Sequence, residues 1–170
     1  MFPRQRLETA GVKNVFGNRK ITWRKRDWLQ HVAFHVCRID REHRIVDVVF
    51  KFAANRKIAL HQHKTPFATF VVQGELRIFG PRRELTEIRP VGSYISDVAD
   101  GEPHRKGAGD EDAIVFLSHR NVDDVMYVFF DENLQPSRTL RIDDFKAELK
   151  TQERALWLKA ANGWILDAAQ

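Results

Sequence analysis

One cysteine, Cys37, is all that the chain contains, so no internal disulfide can staple it. Lying in the strand-like stretch "HVAFHVCRI", that residue is expected to act as a small apolar filler. No apolar run approaches the roughly 18 residues that a membrane-spanning helix needs. The first residues, "MFPRQRLETAGVKNVFG", lack the apolar segment of a secretory signal. Together with the isolated thiol, this reads as a cytoplasmic protein with no membrane partner. Internal repeats, low-complexity segments and recognisable nucleic-acid motifs are also missing. The excess of positive charge is small, with 28 basic against 23 acidic residues and a net charge of +5. Part of it is local: "RKITWRKRDW" (19–28) carries five basic residues around Trp23 and Trp28. Such a stretch could meet phosphates and stack on bases, but basic residues on an edge strand also discourage aggregation. Without a supporting motif, the second reading is preferred.

What is present is a regular series of short alternating segments. "WLQHVAFHVCRI" (28–39), "RIVDVVFKF" (44–52), "IALHQH" (58–63), "FATFVVQ" (67–73), "ELRIF" (75–79) and "LTEIRP" (85–90) read as strands. "SYISDV" (93–98), "DAIVFLSH" (112–119) and "VMYVFF" (125–130) continue the series. Turn signals separate them: "DREH" (40–43), Gly74, "GPRRE" (80–84), Gly92, "ADGEP" (99–103) and "KGAGDED" (106–112). Many short strands at even spacing predict an all-β sandwich or barrel. The end of the chain differs. Phe145, Leu149, Leu156 and Ala160 recur at helical spacing over 143–161, with an acidic cap at Asp143 or Asp144 and a stop at "NG" (162–163). Leu156 and Trp157 are expected to seat that helix on the barrel or on a second subunit. The whole reads as a single domain: an arm over 1–20, a barrel over 21–130 and a helical tail over 143–169.

His61 and His63 stand two apart in "LHQHKTPFATFVVQGELRIFG". On a strand, residues i and i+2 share a face, so the two imidazoles can converge on one ion. They can equally be solvated or hydrogen-bonded, and the pair alone does not decide. The pattern around them resembles the first motif of the cupin superfamily: His-x-His, three or four residues, Glu, six residues, Gly. Here it reads His61-Gln62-His63, "KTP", Phe67, "ATFVVQ", Gly74. The family's second motif resembles Gly92, "SYISDVAD", Gly101-Glu102-Pro103-His104, with Ala99 near the usual proline and Ala108 where an Asn can close it. The likeness covers roughly residues 45 to 120. It implies a cupin-type, jelly-roll-like β-barrel with metal ligands His61, His63 and His104. It also implies a homodimer built by exchanging N-terminal strands, with 19–28 and the helical tail as candidate contacts.

Phe67 is the departure, because it replaces the family's glutamate. Three neutral imidazoles leave a divalent ion at +2, and that charge acts strongly in a dry barrel. The site should favour an anionic, chelating substrate and keep coordination positions open. Within the family, this pattern resembles three-histidine non-haem iron dioxygenases that cleave acetylacetone or dihydroxyacetophenone. The resemblance implies cleavage of a C–C bond beside a carbonyl in a small β-dicarbonyl or hydroxyketone, with dioxygen as co-substrate. Imidazole ligation alone suits Fe(II), Zn, Ni or Cu. The expected pocket wall is Phe67, Thr69, Val71, Val115 and Leu117, with His119 at its mouth. Glu102 is the candidate catalytic acid–base group or substitute carboxylate, and Glu75 is expected to point outward. Two other readings stay open: a non-enzymatic cupin that binds a small molecule or regulates, and a metal-dependent isomerase or hydrolase using Glu102. His31, His35 and His43 read as ordinary histidines.

Overall fold

The computed structural model describes residues 21–167, with side chains through Leu158; the expected arm over 1–20 lies outside the described residues. Twelve strands precede one helix. They are β1 (Arg24–Arg26), β2 (Leu29–Asp40), β3 (Ile45–Phe52), β4 (His61–His63), β5 (Phe67–Gln73) and β6 (Glu75–Phe79). Then come β7 (Leu85–Pro90), β8 (Tyr94–Asp97), β9 (Arg105–Ala108), β10 (Ala113–His119), β11 (Val125–Phe130), β12 (Pro136–Arg141) and helix α1 (Ile142–Asp167).

Alternation drives the layering. In β5, Phe67, Thr69 and Val71 are buried, whereas Phe70 between them is exposed. Six strands make one antiparallel sheet in the order β1-β2-β3-β10-β5-β8. Two three-stranded ladders, β12-β11-β4 and β7-β6-β9, make the other layer. They meet where His61 and His104 exchange both backbone hydrogen bonds, at 2.9 Å each. The buried cluster between the layers includes Val36, Val48, Val71, Val115 and Leu117 from the first, and Leu76, Met126 and Phe129 from the second. This is a jelly-roll arrangement, all-β apart from α1. Gly74 joins β5 to β6 at φ +68°, and a Cβ there would sit 2.7 Å from the Asp112 carbonyl, so the turn needs glycine.

Several local expectations change. Cys37 is exposed rather than filler, because it follows the inward-facing Val36 and strand alternation puts it on the outer face of β2. Leu156 and Trp157 do not seat the helix on the barrel: both are exposed, and Phe145, Leu149 and Gln152 make the contact. The helix runs on through Asn162 and Gly163 to Asp167. Two strands appear that composition concealed: β9, inside what reads as a turn, and β12, beyond the last expected strand.

Gln152 is completely buried, and its amide holds both backbone groups of Val36: Oε1 accepts from the N–H and Nε2 donates to the carbonyl, at 2.9 Å each. Removing it strands two buried polar groups, so Gln152→Ala is expected to cost about 2–4 kcal/mol. Urea unfolding measures this; a loss below about 1 kcal/mol would mean that water takes over both bonds.

Candidate metal centre

Strand β4 delivers two of the histidines. Its ends, His61 and His63, face inward and are buried, with Gln62 between them turned away. On one side β4 pairs with β11, placing Phe129 opposite His61 and Tyr127 opposite His63. On its other side the backbone rung to His104 brings the third histidine alongside His61. Nitrogen atoms of His61, His63 and His104 all lie within 4.8 Å of one another. The ring centroids are 5.3 Å apart for His61–His63, 4.8 Å for His61–His104 and 5.4 Å for His63–His104.

Each ring's free nitrogen is set by what its other nitrogen does. His61 Nδ1–H donates to the Ala59 carbonyl at 3.0 Å and His104 Nδ1–H to the Glu102 carbonyl at 3.1 Å. Both Nε2 lone pairs therefore point away from the backbone, the tautomer that a metal ligand requires. Among the described residues, His63 has a buried Nδ1 with no partner, and its Nε2 is engaged by Lys106. Burial drives all three rings to the neutral form. It holds His61 and His63 well below the ordinary histidine range and pushes His104 down to about 4, and the positive charge of Lys106 adds to each effect. Neutral imidazole is the ligating form, so this donor set fits a divalent ion. Glu102 and Glu75 are not in the cluster: Glu102 is exposed on the rim of the neighbouring cavity, and Glu75 bonds Arg77 at 2.6 Å.

Phe67 stacks on His63, with centroids 3.8 Å apart and planes 20° from parallel. It occupies an inward position on β5 and gives the site an apolar wall. A cavity of about 240 Å³ opens beside it, with His104, Lys106, Arg89, Asp97 and Glu102 also on its lining. Val71 and Val115 are packed in the core and line neither this cavity nor its neighbour. Thr69 is buried and accepts from Arg89 Nη1 at 3.4 Å. Leu117 lines a separate void of about 20 Å³ with His61, Tyr127, Phe129 and Lys106. His119 is not at a mouth. It is fully buried behind His63, with Nδ1 3.0 Å from Thr65 Oγ1 and Nε2 2.7 Å from the Tyr127 hydroxyl. Its burial pushes its pKa down to about 3, and burial raises that of Tyr127.

Lys106 has no place in the sequence-based site. It follows His104 by two residues, so its side chain enters on the same face, and it is buried. Its Nζ donates to His63 Nε2 at 2.9 Å and lies 4.9 Å from the centre of the Phe67 ring. Burial lowers its pKa to about 7, with Arg89 adding to the effect and Asp97 opposing it. Gly107 lets this strand lie close: a Cβ there would come within 2.4 Å of the Arg56 carbonyl. The remaining histidines are elsewhere. His31 and His43 are exposed, and His35 contacts the Thr22 backbone at 3.3 Å.

No protein-family model matches the sequence, and no curated protein matches it either. Solved structures do match. An RmlC-like cupin protein from Ralstonia eutropha JMP134 superposes with a TM-score of 0.64 at 16% identity, over 85% of this chain and 88% of that one. An acetylacetone dioxygenase from Acinetobacter johnsonii gives 0.64 at 13% identity, over 89% and 99%. A candidate acetylacetone dioxygenase from Methylibium petroleiphilum PM1 gives 0.58 at 14%, over 85% and 99%. At these identities the likeness is one of fold.

Proposed function

We propose that this chain, a protein of cupin fold, is a metal-dependent dioxygenase that cleaves the C–C bond beside a carbonyl in a small β-dicarbonyl or hydroxyketone. The observation that carries this reading is the donor set: three converging neutral imidazoles, with no carboxylate among them. A divalent ion, iron(II) in this reading, would be held by His61, His63 and His104 and would supply Lewis acidity and activation of dioxygen, while the electrons that reduce dioxygen come from the substrate bond that is cleaved. The chain's own part is positional. The carbonyls of Ala59 and Glu102 fix the His61 and His104 rings. Phe67 keeps water from one side, and the cavity beside His104 and Lys106 admits a compact ketone. Both atoms of one dioxygen are accounted for in two carbonyl or carboxylate fragments. The named activity of the Acinetobacter neighbour supports this choice of substrate class.

The test is oxygen consumption by iron(II)-loaded protein offered pentane-2,4-dione and small hydroxyketones. Uptake stoichiometric with substrate loss is expected, and none from the zinc-loaded form. Full iron occupancy with no uptake across the panel would end the dioxygenase reading.

A second reading draws on Lys106. Its amine already engages His63 Nε2, as a built-in cation would, which suits a non-enzymatic cupin that binds a small anion without metal. Failure to take up iron, zinc, nickel or copper on reconstitution would favour it.

A further inference from the structure

We infer that Lys106 is a substrate-binding residue and that the substrate is an enolisable oxo acid, whose carboxylate Lys106 holds while its two carbonyl oxygens face the three histidines. The inference rests on the proposed metal site and narrows its substrate.

Charge and geometry carry it. Lys106 is the cation nearest the histidine cluster: its Nζ is 2.9 Å from His63 Nε2. Among the described residues it forms no ion pair with a carboxylate. The other buried cation on the cavity wall, Arg89, is already matched, because both oxygens of Glu87 take hydrogen bonds from it at 2.6 and 2.8 Å. A metal ion claiming His63 Nε2 would displace Lys106 from its present acceptor. The freed Nζ would then face a cavity of about 240 Å³ bounded by Phe67 and His104. A buried ammonium without a partner is costly, and a ligand anion is the partner this cavity can admit. On the cavity wall Arg89 is matched by Glu87, and Lys106, which makes no ion pair with the remaining wall carboxylates Asp97 and Glu102, is the cation beside the three histidines that a ligand can engage. A carboxylate on the substrate supplies a second negative charge where Lys106 can reach it.

The experiment compares two ligands that differ by that carboxylate: 2,4-dioxopentanoate and pentane-2,4-dione. Each is titrated by calorimetry into full-length, zinc-loaded protein, where no turnover occurs, with zinc content measured on the same samples. The wild type is expected to prefer the acid by about 10- to 100-fold, the worth of one charge-assisted hydrogen bond. In Lys106→Met the preference is expected to vanish, with affinity for the dione changed less than about threefold. Lys106→Gln, which keeps a donor but not the charge, should fall between. A purely structural role for Lys106 would weaken both ligands together and leave their ratio intact, which overturns the inference, as does equal affinity in the wild type. Zinc content reports separately on the histidine site. If the wild type retains no zinc, Lys106 stays on His63 and the inference falls together with the metal site that it rests on; with zinc retained, the ligand ratio alone decides the lysine's role.

Discussion

His104→Ala protein is expected to hold almost no divalent metal, while wild-type protein prepared beside it holds about one ion per three-histidine set. His104 is the residue to change because it is the least buried of the three. Its tie to His61 runs through the backbone, so both 2.9 Å bonds survive the substitution. Truncating His61 or His63 would instead hollow out the packed interior and confound metal loss with misfolding. With two imidazoles left and no carboxylate in the cluster, no side chain among the described residues replaces the lost nitrogen. Outer-sphere partners alone are worth about 10–100-fold in affinity, so losing a direct ligand should cost at least about 100-fold. Metal analysis by mass spectrometry, on untagged protein from iron-rich culture, reads the result. A variant as metal-rich as the wild type would remove His104 from the ligand set.

Metal-free protein is expected to lose stability steeply between about pH 6.5 and pH 4. An unfolded histidine titrates near 6.5. In the fold, burial pushes His104 down to about 4 and His119 to about 3, and holds His61 and His63 well below the ordinary range. Between those values the unfolded chain binds more protons than the folded one, so stability rises with pH and falls as pH drops through this window. For His104 and His119 the cost at pH 4 is about 3 kcal/mol each, together comparable to much of a domain's total stability. Lys106 acts with the same sign at higher pH: with its pKa lowered to about 7, it adds stability as pH climbs from about 7 towards 10.5. The carboxylates of Asp40 and Glu87, whose pKa values are lowered, begin to matter only near pH 4. Urea midpoints in chelator, stepped from pH 8 to 4.5, test this. A profile flat from pH 7 to 4.5 would mean that the interior admits protons or water freely. Bound metal should move the decline to lower pH, because ion and proton compete for the same nitrogens.

The paired histidines, Gly74 and the inward parity of Phe67, Thr69 and Val71 were legible because β4 and β5 keep strict two-residue alternation beside a turn that only glycine can make. His104 was legible through motif likeness rather than periodicity. Lys106 was hidden for a physical reason. "RKGA" has the composition of a loop, yet all four residues are buried, because Gly107 permits close approach and Lys106 finds an acceptor inside in His63. Tyr127 entered through its register opposite His63, which no local pattern announces. Cys37 was misjudged because composition was weighed above parity: with Val32, Phe34 and Val36 turned inward, the next residue of the strand faces out. The helix misled in the opposite sense: its periodicity was real, but Gln152, a polar residue, makes the deepest contact.

That glutamine has a consequence for how copies of this chain can meet. β1 covers only the start of β2, with its last partner at Phe34, and just beyond lies Val36 with its backbone pair gripped by the Gln152 amide. The side chain imitates a single residue of a neighbouring strand and then turns away into a helix, so no ladder can continue from it. A foreign strand growing along that edge would have to break two buried hydrogen bonds before gaining its next one. The helix thus works as a stopper on the sheet, holding the open edge of β2 short of the length at which runaway strand addition, and with it aggregation, becomes favourable.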